Sequence, residues 1–278
     1  MTYLKIYVGS DCILWSYLKD NIDFFKSYYI KHGFKVEYKD SLFSLIGARL
    51  MNGNFFVFSD IHGNYNLWKK VEDFIAGRPT IFLGDAADRG PDGYKIMKEL
   101  LDSPNIIYLK GNHEDMFVET VRAYFKEKRP TCEPSDFEAF GNAYRLLAYN
   151  GGYATLHAWK KDGCPRDIVN RLSRLPVYFS ADQFDFCHSG CNKIEWENRK
   201  NIPEKQLFWN RSHFPCDWFE GRFLIHGHTI TRSLVGYRNF NYEIVRYNNK
   251  IDIDIGTAIC NKIAIYDTMT DQVVYLEE

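Results

Sequence analysis

The chain has 278 residues, 45% of them hydrophobic and 26% charged, with a formal net charge of −1. Those fractions exclude a chain disordered throughout, which would be apolar-poor and strongly charged. A dedicated nucleic-acid binder is also disfavoured, because it would carry a basic excess to meet phosphates.

The first residues, MTYLKIYVGSDCILW, carry an early Asp and no apolar run of signal-peptide or membrane length. The segment 1–50 reads as a strand (3–8), a helix (13–31), a strand (34–38) and a turn near Gly47. A recurrence follows. FFVF (55–58) runs into Ser59-Asp60-Ile61-His62-Gly63-Asn64, with a helix expected over 65–76. TIFL (80–83) runs into Gly84-Asp85-Ala86-Ala87-Asp88-Arg89-Gly90, and Pro91 suits the first turn of a helix over 92–102. NIIYLK (105–110) runs into Gly111-Asn112-His113-Glu114-Asp115, ahead of a helix over 114–127.

The rhythm breaks over 128–182. Arg129 to Pro134 resembles a linker, and helices are expected over 135–149 and 165–174. FDFC (184–187) then meets His188-Ser189-Gly190, and RFLI (222–225) meets His226-Gly227-His228-Thr229. The excursion between them, 192–221, holds Trp196, Trp209 and Trp218, read as core packing. A last run, IDIDI (251–255), meets Gly256-Thr257.

Short runs rich in Phe, Ile, Val and Tyr read as buried strands, and their alternation with helices implies a largely parallel sheet. Side chains just past the carboxyl ends of such strands converge on one edge. Turn chemistry explains any one of these loops, since Asp, Asn and Gly favour turns for local reasons. It does not explain five loops sharing one topology. Carboxylate, amide and imidazole donors without thiolate suit Mn²⁺, Fe²⁺ or Zn²⁺ better than Ca²⁺ or a structural zinc. Six or so ligands exceed one tetrahedral shell, and two metals sharing an Asp are the economical arrangement for phosphate-ester hydrolysis. The seven cysteines (12, 132, 164, 187, 191, 216 and 260) are odd in number and form no CxxC pair, as expected of a reduced, cytoplasmic protein.

In order, SDIHG, GDAADRG, GNHE, HSG and GHT resemble the motifs of the calcineurin-like metallophosphoesterases. Within them the chain looks most like the PPP-type serine/threonine protein phosphatases of the bacterial and bacteriophage branch. Asn150-Gly151-Gly152 with Thr155, Trp209-Asn210-Arg211 and Asp254-Ile255-Gly256 extend the likeness, which covers residues 59–256. Ser59 departs from it, standing where the family most often has Gly.

The resemblance implies an α/β (α+β) fold, a β-sandwich of two mixed sheets flanked by helices with a helical cap. It makes 1–278 a single domain, with 1–50 an N-terminal extension and 128–182 the cap insertion. It places Asp60 and His62 on a first metal, Asp85 bridging, and Asn112, His188 and His228 on a second; the cofactor is two divalent ions, Mn²⁺ first and Fe²⁺ or Zn²⁺ next. His226 lies in the strand end and stays outside that shell. A metal-bridging hydroxide would attack phosphorus in line, and His113, oriented by Asp88, would protonate the leaving group. Arg89 and Arg211 would hold the phosphoryl oxygens. Glu114 and Asp115 are read only as favouring a helix N-terminus. The expected substrate is a phosphorylated protein or a small phosphoester. The alternative is symmetrical hydrolysis of a dinucleoside polyphosphate such as diadenosine tetraphosphate, against which Asp88 and Thr229 tilt the balance. Neither nucleic acid nor a membrane is an expected partner.

Overall fold

Runs such as Phe55 to Phe58 are apolar at every position because the strands they form are covered on both faces. The computed structural model describes residues 3–8, 11–17, 36–39, 42–45, 55–126, 141–211, 217–234 and 242–278. Strand numbering starts with four N-terminal strands, β1 to β4, described last. The strands β5 (Phe56–Phe58), β6 (Thr80–Phe82) and β7 (Ile106–Tyr108) run parallel. The antiparallel β13 (Lys262–Asp267) and β14 (Gln272–Glu277) complete a five-stranded sheet ordered β14-β13-β5-β6-β7.

A second five-stranded sheet has the order β11-β12-β10-β9-β8. Its centre is three parallel strands, β9 (Phe184–Cys187), β10 (Phe223–His226) and β12 (Lys250–Asp252). The antiparallel β8 (Tyr178–Ala181) and β11 (Val245–Tyr247) form its edges.

Side chains alternate across these strands with period two. Phe55, Val57, Ile81, Leu83, Ile107 and Leu109 pack against Phe179, Phe184, Phe186, Ile225 and Ile251 between the sheets. Their neighbours Phe56, Phe58, Phe82, Ile106 and Tyr108 face the helices. Those helices are α1 (Tyr65–Ile75), α2 (Gly93–Asp102) and α3 (Asn112–Lys126), which bury Trp68, Val71, Ile96, Met97, Leu100 and Phe117 against the first sheet. Two mixed five-stranded sheets flanked by helices are therefore the architecture, as the family resemblance implied, where strand-helix alternation alone suggested one largely parallel sheet.

The insertion holds α4 (Gly141–Tyr149), α5 (Tyr153–Lys161) and α6 (Arg166–Ser173). Residues 135–140 of the helix expected over 135–149 lie outside the described residues, and α5 was not foreseen. Tyr144, Leu147, Leu156, Trp159, Ile168 and Leu172 join the same apolar cluster as α2 and α3, so these helices are bolted into the core. On the outer face of the second sheet, Trp196 and Trp218 are buried with Leu207, Phe208 and Leu224, while Trp209 is half-buried beside them.

The four N-terminal strands correct one expectation. Residues 13–17, expected to open a helix over 13–31, instead belong to β2 (Asp11–Tyr17), paired antiparallel with β1 (Tyr3–Val8). Val8 pairs with Asp11, and the Ile-, Leu- and Trp-bearing run suits a strand paired along β1. Residues 18–35 and Gly47 lie outside the described residues. With β3 (Val36–Lys39) and β4 (Leu42–Leu45) these strands make their own sheet, ordered β2-β1-β4-β3.

Candidate metal centre

Backbone hydrogen bonds continue past the strand ends and draw the loops together. In the first two loops Asp60 N–H donates to Gly84 O (3.0 Å), His62 N–H to Asp85 O (3.1 Å) and Gly63 N–H to Ala86 O (2.9 Å). Gly90 N–H returns to His62 O at 3.0 Å. Gly63 has φ +68°, and a Cβ there would lie 2.6 Å from Gly90 O, so only glycine lets the loops approach this closely. Gly227 N–H donates to His188 O at 2.7 Å, linking the two loops of the second sheet. His228 N–H donates to Asp60 Oδ2 at 3.1 Å, joining the two sheets.

At the convergence lie Asp60, His62, Asp85, Asn112, His113, His188 and His228, all buried. Asp85 is the hub. Its Oδ2 lies 3.2 Å from His188 Nε2, 3.7 Å from His113 Nε2 and 3.9 Å from His62 Nε2. Asn112 Oδ1 is 3.0 Å from His188 Nε2, and Asp60 Oδ1 is 3.7 Å from His62 Nε2. Among the described residues, two groups have ligand atoms within 4.8 Å of one another, His62-Asp85-His113 and Asp85-His188-His228, and they share Asp85. His226, 3.7 Å from Asp252 Oδ2, belongs to neither group.

Second contacts set the tautomers. His62 Nδ1 lies 3.0 Å from Ala87 O, and His188 Nδ1 3.0 Å from Leu83 O. A carbonyl only accepts, so each Nδ1 carries a proton; the Nε2 of His62 then turns a lone pair inward, while that of His188, facing the oxygens of Asn112 and Asp85, becomes a donor to a cation only on losing its own proton. The buried Nε2 atoms of His62 and His228 have no hydrogen-bond partner. Buried polar groups are otherwise almost always paired. Two such nitrogens facing carboxylate and amide oxygens fit divalent cations of the Mn²⁺, Fe²⁺ or Zn²⁺ type.

The electrostatics agree with that fit. Burial, aided by His113 and Arg89, holds His62 well below its ordinary value, and burial next to His188 and Arg211 takes His228 down to about 2. Both are neutral donors. Burial alone would raise Asp85, but His188 and His113 outweigh it and keep the carboxylate well below its usual range. Burial also opposes charge on His188, yet Asp85 and Asp60 raise it to about 9.

His113 Nδ1 donates to Asp88 Oδ2 at 2.7 Å. Burial disfavours its imidazolium, but Asp85 and the bond to Asp88 outweigh that and raise its pKa. Asp88 N–H donates in turn to Thr155 Oγ1 at 3.1 Å, and Arg89 N–H to Gly151 O at 3.2 Å. The Asn150-Gly151-Gly152 turn thus seats on the Asp88-Arg89 pair. Arg89 and Arg211 are exposed at the rim. Arg211 Nη1 donates to His228 O at 2.9 Å and Thr229 Oγ1 at 3.2 Å, which holds its fork beside His228.

Glu114 corrects the sequence reading. It is fully buried, and one oxygen accepts from Asp85 N–H (2.9 Å) and Gly111 N–H (2.8 Å). The other accepts from Ala86 N–H and the Tyr108 hydroxyl, each at 2.8 Å. It clamps the Asp85 loop, well beyond favouring a helix dipole. Its one sequence signal is a Glu directly following His113. Asp115 instead pairs with Lys205 Nζ at 3.2 Å.

Residues 53–252 match the calcineurin-like phosphoesterase family. The chain belongs to that family. No curated protein matches the chain. Among solved structures, a diadenosine tetraphosphatase by provisional assignment is 13% identical, with 82% of this chain and 94% of that one covered and a TM-score of 0.55. A mutant cold-active protein tyrosine phosphatase is 14% identical over 80% and 77% of the two chains, TM-score 0.49. A serine/threonine phosphatase from Saccharomyces cerevisiae is 12% identical over 84% and 82%, TM-score 0.49. At 13% identity the likeness to the first of these is one of fold. Like its family, this phosphoesterase has candidate ligand groups for divalent metals and is a hydrolase of phosphoesters. No helix among the described residues is long and apolar enough to cross a membrane.

Proposed function

We propose that the chain is a metal-dependent phosphoprotein phosphatase, with Mn²⁺ as its ion. The observation that carries the reading is the His113–Asp88 contact of 2.7 Å beside Asp85. A phosphomonoesterase must protonate a departing alkoxide, and this pair supplies a positioned acid. Asp88 accepts the Nδ1 proton and turns Nε2 of His113 toward the centre, where the raised pKa keeps a proton available.

Asp60 and His62 would hold one cation, Asn112, His188 and His228 the other, and Asp85 both. Bound there, the ions would supply Lewis acidity and lower the pKa of water. Arg89 and Arg211 present planar forks at the rim, suited to gripping phosphoryl oxygens and offsetting charge as it develops. Glu114 holds the Asp85 loop in register. We read 1–278 as one phosphoesterase domain, with 1–50 an extension and a helical insertion that ends before the expected 182, because Tyr178–Ala181 is β8, an edge strand of the second sheet.

The test compares the purified protein with Mn²⁺ on phosphoserine, phosphothreonine and phosphotyrosine peptides and on diadenosine tetraphosphate. Peptide turnover should dominate. A dinucleotide preference above about tenfold in kcat/KM, roughly 1.4 kcal/mol of transition-state binding, would overturn the phosphatase reading.

A further inference from the structure

Asp60 offers two oxygens with different surroundings. Oδ2 accepts from Ser59 Oγ and, across the sheets, from His228 N–H at 3.1 Å. Oδ1 lies 3.7 Å from His62 Nε2, a buried nitrogen without a hydrogen-bond partner. The two donors on Oδ2 come from opposite sides of the sandwich, one from the residue before Asp60 and one from the loop after β10. Gly227 makes the approach possible, since a Cβ there would overlap both Asp60 Oδ2 and Ser59 Oγ. Ser59 is only 2% exposed, so its hydroxyl has no bulk water to choose instead.

We infer that Ser59 is a positioning residue, which pins Asp60 through Oδ2 so that Oδ1 alone faces the cation held with His62. The inference rests on the reading of Asp60 as a metal ligand. The torsion that turns a carboxylate about its own axis is broad and two-fold, so one backbone donor leaves it loosely held. A second donor, fixed by chain connectivity, narrows that freedom. Partners of metal ligands commonly contribute 10–100-fold to affinity; with one of two donors removed, the expected loss is at the lower end, about tenfold.

The experiment titrates metal-free, full-length protein with Mn²⁺ by calorimetry, without substrate, for wild type, Ser59→Ala, Ser59→Gly and Asp60→Asn. Ser59→Ala should weaken one Mn²⁺ site about tenfold and move the other by less than about twofold. At saturating Mn²⁺ its KM for a phosphopeptide should match wild type, a split that general loosening of the fold would not produce. Ser59→Gly serves if the alanine variant does not fold. Ser59 variants that bind Mn²⁺ as wild type does, while Asp60→Asn loses a site, would overturn the positioning role alone. Wild-type binding by Asp60→Asn would overturn the metal reading of Asp60 and the role of Ser59 with it.

Discussion

Replacing Glu114 by Gln tests whether this carboxylate clamps the Asp85 loop or merely favours a helix N-terminus. The dipole effect is worth about 0.3–1 kcal/mol and should vanish with the charge. The clamp predicts more. Glu114 accepts from Asp85 N–H, Gly111 N–H, Ala86 N–H and the Tyr108 hydroxyl, with all four donors inside the protein. In Gln one oxygen becomes an NH₂. Facing Asp85 and Gly111, it would strand two backbone donors; facing Ala86 and Tyr108, it strands one, because the hydroxyl can turn and accept. The second orientation should win. One stranded buried donor costs about 1–3 kcal/mol, and the remaining bonds lose their charge assistance, so the total should be about 2–4 kcal/mol. Urea unfolding of the metal-free protein, followed by fluorescence and circular dichroism together, measures it. A loss below about 1 kcal/mol would refute the clamp and leave only the dipole. Mn²⁺ affinity should fall in the same variant, because the stranded amide belongs to Ala86, next to the hub residue, and the Asp85 amide keeps only a neutral acceptor.

The geometry of the site fixes four further outcomes. His113→Asn should slow turnover about 10²–10⁴-fold, the range for losing a general acid, with elemental analysis still finding bound Mn²⁺; metal loss in that variant would make His113 a ligand. Asp85→Asn should lower the Mn²⁺ content at both positions, and an unaltered stoichiometry would remove Asp85 from the bridging role. His188 is raised from 6.5 to about 9 in the metal-free protein, so it is protonated at pH 7 and a cation on Nε2 must displace that proton. Calorimetry in buffers of different ionisation enthalpy should register about one proton released from His188 per loaded protein; heats independent of buffer would sink the assignment. The linked stability has a definite sign. The contribution of His188 is fully present below its unfolded value of 6.5 and disappears as pH rises through about 9, so metal-free Tm should fall across that window.

What the sequence made legible was what chain-local chemistry encodes. The runs Phe55–Phe58 and Ile106–Leu109 are readable as strands because both their faces are buried, which leaves no polar position to obscure the apolar signal. The loops were readable because their polar residues recur at the same place after each run. Glu114 was not, because a carboxylate at a helix start has a cheap local explanation and its partners are backbone amides, which have no sequence signature. Helix α5 has no clear sequence signal because Gly151-Gly152 reads as a loop, whereas Asn150-Gly151-Gly152 is a three-residue turn with Gly152 at the N-cap of a helix that starts at Tyr153. The misread segment 13–17 shows the converse. Its mix of aromatic and aliphatic residues supports helix or strand alike, and pairing with β1 decided between them.

The backbone of the site explains why these residue types stand where they do. Asp60, His62, Asp85, Asp88, Arg89 and His228 all have φ between 45° and 70°, the left-handed region that side chains usually avoid. Asp and His tolerate it better than branched residues, since their short polar groups bond locally. The remaining cost is carried by tertiary contacts. Asp60, His62 and Gly63 each donate backward to the Asp85 loop, and Gly90 donates back to His62. Strain of this kind persists only where the surroundings over-determine it, and it clusters at functional sites. Here these turns let the chain leave the strand ends abruptly, so that Asp60, His62, Asp85 and His228 turn into the centre while Arg89 stays at its rim. The glycines of the motifs give the loops room to touch, and the left-handed Asp and His residues aim the donors. A variant that relaxed one of these turns to an ordinary conformation would gain locally and lose the convergence on Asp85, where the site's charge is concentrated.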